Sequence, residues 1–214
     1  MTGKPRRAAT GAAVLRPRIT ATITATVLAE LAEHGYARLS MEAVARRAGV
    51  GKSALYRRWP AKRDMVVAAL SERAVPLAEI EDTGSLRGDL LATLRAILAW
   101  LTTPPMAAVL PDLVAEAGRD EALAEAMRTM IGEPRRARGA ATLRRAVDRG
   151  ELSPGTDIEL ALDLVAAPLY WHLKVRHAAL EPDYLESLAD HILRALGAVP
   201  SPGHDGPAQE SALP

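Results

Sequence analysis

The chain has 214 residues, 49% of them hydrophobic, 25% charged and 3% aromatic, with a formal net charge of +1, which is enough apolar content to bury a core in one or two domains. It has no cysteine and no phenylalanine, which excludes disulfide frameworks, cysteine-ligated zinc, iron–sulfur clusters and thiol nucleophiles, and argues against aromatic platforms for single-stranded nucleic acid. No uncharged apolar run is long enough to span a bilayer and the first twenty residues lack the apolar centre of a secretion signal, so the expectation is a cytoplasmic protein without a membrane partner.

In chain order, residues 1–17 carry Lys4, Arg6, Arg7 and Arg16 among Gly, Pro and Ala and read as a flexible basic arm. A first helix is expected from Arg18 to His34, with Ile19, Ile23, Val27 and Leu31 on its buried face and Gly35 as its stop. Ser40 is a preferred N-cap for a short second helix through Val44, Ala45 and Ala48, ended by Gly49, and Glu42 lies in its positive first turn. After the turn Gly49-Val50-Gly51 a third helix, KSALYRRW, must end at Pro60. Two short helices joined by a glycine turn form a helix-turn-helix. A fourth helix, Lys62 to Val75, places Met65, Val66, Ala69 and Leu70 on one face. Further helices are expected at Leu86–Leu101, Pro105–Ala117, Glu121–Arg149, Ile158–His177 and Tyr184–Leu196, and residues 200–214 read as a disordered Pro- and Gly-rich tail. No period-2 strand pattern competes, so the fold class is all-α with about nine helices.

Charge is unevenly spread along the chain. Residues 1–63 carry +10 and residues 64–214 carry −9, so a basic head sits on an acidic body and is the part expected to meet a polyanion. The second helix of a helix-turn-helix enters the major groove, where each base pair displays a distinct donor and acceptor pattern. The candidate reader is the helix after Gly51, with Lys52, Ser53, Tyr56 and Arg57 outward and Ala54, Leu55 and Trp59 supplying packing. Ser40, Arg46, Gly51 and Lys62 complete the candidate DNA-binding set, Gly51 by leaving the backbone open to close approach and Lys62 through a phosphate at the start of the fourth helix. Arg47 and Arg58 are further candidates for electrostatic support.

The stretch LSMEAVARRAGVGKSALYRRWPAKRDMV resembles the DNA-binding head of the TetR (tetracycline-repressor-like) family, and the likeness in order and spacing covers about residues 18–70. Trp59 stands where members usually have Phe, and Gly51 where they often have Ser. The resemblance implies a homodimer on a palindromic double-stranded operator, most often a repressor released by a small-molecule effector. On that reading the chain divides into an arm (1–17), a helix-turn-helix domain (18–63), a ligand-binding and dimerisation domain (64–199) and a tail (200–214). The stretches LPDLVAEAGRD and ELALDLVAAPLYWHL are similar to the effector and dimer domain of one subgroup.

By the family layout the last two helices pair with those of a second copy, and Leu185, Leu188, Ile192 and Leu196 form a stripe fit for that role. Pro168 is expected to distort its helix by removing the N–H that would bond back to Leu164. Trp100, Met106, Leu110, Leu113, Met127, Met130, Ile131, Tyr170, Trp171 and His172 are the residues from which a mainly apolar effector pocket is expected, methionine for adaptability and Tyr170 and His172 for polar orientation. No Walker loop, dinucleotide fingerprint, nucleophile elbow or zincin motif occurs, and His172 and His177 stand about 140° apart on a helix, a poor pair of metal ligands. No catalytic residue, metal or cofactor is therefore expected. Two alternatives remain at this stage: a small-molecule sensor acting by protein contact, and a nonspecific basic DNA binder.

Overall fold

The computed structural model describes residues 11–74 and 78–199. Among them are ten α-helices and no strand: α1 (Gly11–Arg38), α2 (Met41–Arg47), α3 (Lys52–Arg58), α4 (Lys62–Ala74), α5 (Leu86–Thr102), α6 (Met106–Ala117), α7 (Glu121–Met127), α8 (Glu133–Asp148), α9 (Ile158–Tyr170) and α10 (Tyr184–Ala195). The expected flexible arm is corrected in part, because α1 begins at Gly11, where Ala12, Ala13 and Leu15 favour helix. Residues 1–10 and the expected tail, 200–214, lie outside the described residues. The long helix expected over 121–149 is two helices, broken by a π turn at Arg128–Gly132. Gly132 is a poor helix former, and Pro134 favours a fresh start in the first turn of α8. The helix expected over 158–177 likewise passes into a π turn, Trp171–Val175, three residues beyond Pro168.

The described residues fall into two compact units that do not follow chain order, one within Met1–Arg73 and Pro104–Ile131, the other within Ala74–Thr103 and Gly132–Pro214. The boundary thus differs from the one expected between residues 63 and 64: α6 and α7 belong with the head, where α6 packs against α1. Ile23, Val27 and Leu31 of α1, Val44 and Ala45 of α2, Leu55 of α3 and Met65, Val66, Ala69 and Leu70 of α4 form the core of this first unit, joined by Val109 and Leu113 of α6. Ile19, expected on the buried face of α1, is instead 42% exposed.

The α1 face ends as Gly35 demands. Gly35 has φ 75°, a conformation that costs an L side chain steric strain. It also lies against the carboxylate of Asp112 in α6, which accepts the Tyr36 N–H at 2.7 Å.

The second unit is a bundle of α5, α8, α9 and α10. Leu86, Leu90 and Leu94 of α5, Leu143 and Ala146 of α8, Ala161, Val165 and Leu169 of α9, and Ala189 and Ile192 of α10 fill it. Its polar keystone is Asp89, which is fully buried. The Asp89 carboxylate accepts from the N–H and the hydroxyl of Thr83, both at 2.8 Å, and from Arg149 at 3.1 Å. Glu151 completes the cluster by accepting the Leu86 N–H at 2.8 Å and Arg149 at 2.9 Å. A buried carboxylate survives only when its acceptor sites are filled in this way.

Candidate nucleic-acid interface and effector cavity

Local chemistry builds the reading head. Ser40 Oγ accepts the Ala43 N–H at 3.1 Å and so caps α2, a structural use of a residue also expected near DNA. Gly49, at φ 67°, turns the chain toward α3, which opens at Gly51 with no side-chain cap. Its first amides are left for solvent or a ligand. Leu55 is buried and Trp59 nearly so, and these two side chains fix the orientation of α3. Lys52, Ser53, Tyr56 and Arg57 are brought together on the exposed side, as expected, and Ala54, expected in the packing, is exposed with them. Arg46 is also exposed, at the end of α2.

The Tyr56 hydroxyl donates to Glu42 at 2.9 Å, so the two helices of the motif are tied across their outer face. The Glu42 carboxyl is held below its ordinary range by its own backbone hydrogen bond, then by Tyr56 and by the Lys52 charge. Three other basic residues of the head, Arg47, Arg58 and Lys62, are held within it. Arg47 pairs with Glu33 at 2.7 Å and Glu30 at 2.8 Å, Arg58 donates to Thr20 at 2.5 Å and covers the Trp59 ring, and Lys62 donates to the Tyr36 carbonyl at 2.8 Å with its charge 4.2 Å from the Tyr36 ring. Lys62, expected at a phosphate, thus locks the start of α4 to the end of α1. Glu30, Glu33 and His34 converge closely enough to hold a cation, but the Arg47 guanidinium already fills that role between the two carboxylates.

The ten residues expected to line an effector pocket are divided between the two units. Met106, Leu110, Leu113, Met127, Met130 and Ile131 lie in the first unit, whereas Trp100, Tyr170, Trp171 and His172 lie in the second. Met106, Leu113 and Trp100 are buried core, Met130 and Trp171 face solvent, and His172 Nε2 is hydrogen-bonded to Ala179 O at 2.9 Å. None of the ten lines the cavity that the second unit does contain.

That cavity, of about 290 Å³, lies among α5, α8 and α9, with Ile80, Ala96, Ile97, Gly139, Leu162 and Val165 in its walls. Space exists there because the facing positions are small: a Cβ on Gly139 would come within 2.6 Å of Leu162 Cδ2. The α9 residues at the cavity, Leu162, Val165 and Ala166, all precede Pro168. Three polar side chains reach the lining: Thr93, Arg135 and Arg136. Arg135 is the residue that sequence reasoning missed. A signal was present, because Arg135 opens a row at positions 135, 139, 142 and 146 whose later members Thr142 and Ala146 are buried.

A row of apolar side chains is left uncovered along α9 and its π turn. Leu160 is 57% and Trp171 59% exposed, Val175 lies further along, and Ala167 is exposed between them. Of the expected α10 stripe, Ile192 is buried within the unit, where α10 packs on α5, and Leu185, Leu188 and Leu196 remain half-buried.

A short capped helix, a glycine turn and an outward second helix define a helix-turn-helix DNA-binding protein with a helical body. Comparison with known proteins places the chain more narrowly. The profile for bacterial regulatory proteins of the tetR family matches residues 23–69, and that for the tetracyclin repressor-like C-terminal domain matches residues 80–192. A DNA-binding transcriptional repressor TetR from Mycobacteroides abscessus is 34% identical over 177 residues, covering 82% of this chain and 92% of that protein. The crystal structure of the TetR family transcription regulator SCO0332 shares 30% identity at a TM-score of 0.69, covering 83% of this chain and 97% of that one. The flavonoid-responsive regulator FrrA shares the fold, with 21% identity and a TM-score of 0.67 over 88% of this chain and 100% of its own. The chain belongs to the TetR family of transcriptional regulators.

Proposed function

We propose that this regulator acts in the cytoplasm as a homodimer on a palindromic duplex operator, as a repressor that a small molecule releases. The observation that carries the reading is the outward cluster Lys52, Ser53, Tyr56 and Arg57 on a helix anchored from behind by Leu55 and Trp59. Lys and Arg donate to guanine O6 and N7 in the major groove, and Ser and Tyr serve base edges or phosphates. Arg46 supports the backbone contact. Lys62 and Ser40 act indirectly, by holding the helices that present the cluster. The uncovered row on α9, with the half-buried leucines of α10, is the surface for the second copy, because exposed apolar side chains gathered on one face mark an interaction site. The effector site is the cavity among α5, α8 and α9, which is concave and apolar with few polar groups.

Selection of random duplex DNA by the purified protein, in competitor and moderate salt, tests the reading. The expected product is a palindrome whose half-sites lie one helical turn, roughly 34–36 Å, or a multiple apart. Lys52→Ala is expected to lower the preference for that sequence over random duplex about tenfold or more, corresponding to the loss of one base contact. An unenriched pool would refute operator reading.

A further inference from the structure

We propose that the cavity among α5, α8 and α9 takes a small apolar carboxylic acid, its carboxylate bound by Arg135 and its hydrocarbon or aromatic body held by Ile80, Ile97, Leu162 and Val165. The inference rests on the reading of this cavity as the effector site and adds the chemical class of the ligand. Of the three polar side chains in the lining, two already have partners that occupy them. Thr93 already donates its hydroxyl to the Asp89 main-chain oxygen at 2.8 Å. Arg136 is occupied by Glu159 and by Asp163 at 2.7 Å. Arg135 alone faces no carboxylate among the described residues: it donates Nη1 to the main-chain oxygen of Ala74 and lies 5.7 Å from the Trp100 ring.

Burial pushes the Arg135 guanidinium down from its ordinary range, with no acidic neighbour opposing the shift. Arginine nevertheless stays charged at neutral pH. The cavity therefore holds one uncompensated cation in apolar surroundings, an arrangement that is costly alone and is relieved by an anion. A guanidinium presents a planar fork of donors, and a carboxylate matches it with two parallel hydrogen bonds. The volume, about 290 Å³, is at the lower end of the range for ligand sites and suits one small acid.

The test is calorimetric titration of the full-length protein with hexanoate and 3-phenylpropionate, each against its primary amide, alongside binding of the selected operator duplex with and without each compound. The expected result is that both acids bind at least about tenfold more tightly than their amides, as the loss of a charge-assisted hydrogen bond requires, and that the acids weaken operator binding. Arg135→Gln is expected to remove the difference between acid and amide, and Arg135→Lys to keep part of it. If the glutamine variant does not fold, Ala96→Leu, which fills the cavity and leaves Arg135 in place, is expected to abolish acid binding with the circular-dichroism spectrum unchanged. Equal binding of acids and amides, or acid binding that survives Ala96→Leu, overturns the assignment. Operator binding that is intact without acid preference overturns the ligand class alone, whereas failure to bind any duplex, with acid preference intact, overturns the regulator reading.

Discussion

Gly35 is required twice over, by a backbone angle and by a neighbour. Its φ of 75° excludes most side chains, and the Asp112 carboxylate stands 3.4 Å from where a Cβ would be. Gly35→Ala is therefore expected to destabilise the protein by about 1–3 kcal/mol, the usual cost of a non-glycine residue in that region, measured as a lower midpoint in urea unfolding; an unchanged midpoint would contradict the strain. The stop itself is legible in the sequence, because a glycine followed by an aromatic ends an apolar period. Its partner is not, since Asp112 lies 76 residues away in the chain from Tyr36 and no local pattern links them. Lys62 shows the same limit. Its place beside a helix start is legible, but the Tyr36 carbonyl that takes its charge depends on how two helices meet. Ser40, Leu55 and Trp59 perform the roles their positions indicate, because capping and i to i+4 packing are local rules.

For the helical elements, period and punctuation locate most segments, and the departures have physical causes. Glycine and proline near 132–134 divide one expected helix into α7 and α8, and a π turn after Pro168 widens the end of another. That the cavity of the second unit is lined by none of the residues expected at a pocket has a more general reason. Methionine and aromatic residues on a helix face are the ones a core consumes, while a cavity forms where side chains are missing, at Ala96, Gly139 and their neighbours. The segment that opens α5 depends on the buried Asp89 cluster. Asp89→Ala leaves the Thr83 N–H and the Arg149 guanidinium without that acceptor, and a loss of about 3–5 kcal/mol is expected from breaking a buried pair by removing one partner, read as a fall in thermal midpoint. Asp89→Asn is expected to lose less. The exposed row on α9 supports a separate prediction, in which Trp171→Asp converts the dimer to a monomer in light scattering at micromolar concentration. A dimer mass that survives this change would place the interface elsewhere.

For the molecule as a whole, the division of charge was legible at once and has a measurable consequence. The +10 of residues 1–63 attracts any duplex, so affinity is expected to fall steeply with salt, whereas preference among sequences is expected to depend on Lys52 and its neighbours. Since α1 starts at Gly11, the cut that removes basic residues and spares the helix is residues 1–10, which carry Lys4, Arg6 and Arg7. This deletion is expected to weaken operator and random duplex alike and to flatten the salt slope by up to about three units, roughly one per lost phosphate contact. Selective loss of the operator alone would give the segment a reading role. The membership of α6 and α7 in the unit with the head was not legible, because helices remote in sequence leave no shared period.

The approach of Gly139 to Leu162 also bears on how such a regulator changes over generations. The atom that a new methyl would meet is the free end of a leucine side chain that borders empty space, so Gly139→Ala displaces Leu162 into the cavity and leaves the helix backbones where they are. With the cavity as the proposed effector site, a single base change in one codon would thus trim the range of molecules a lineage can sense, while the recognition helix stays as it was. One set of genes can pass in this way from one chemical signal to another.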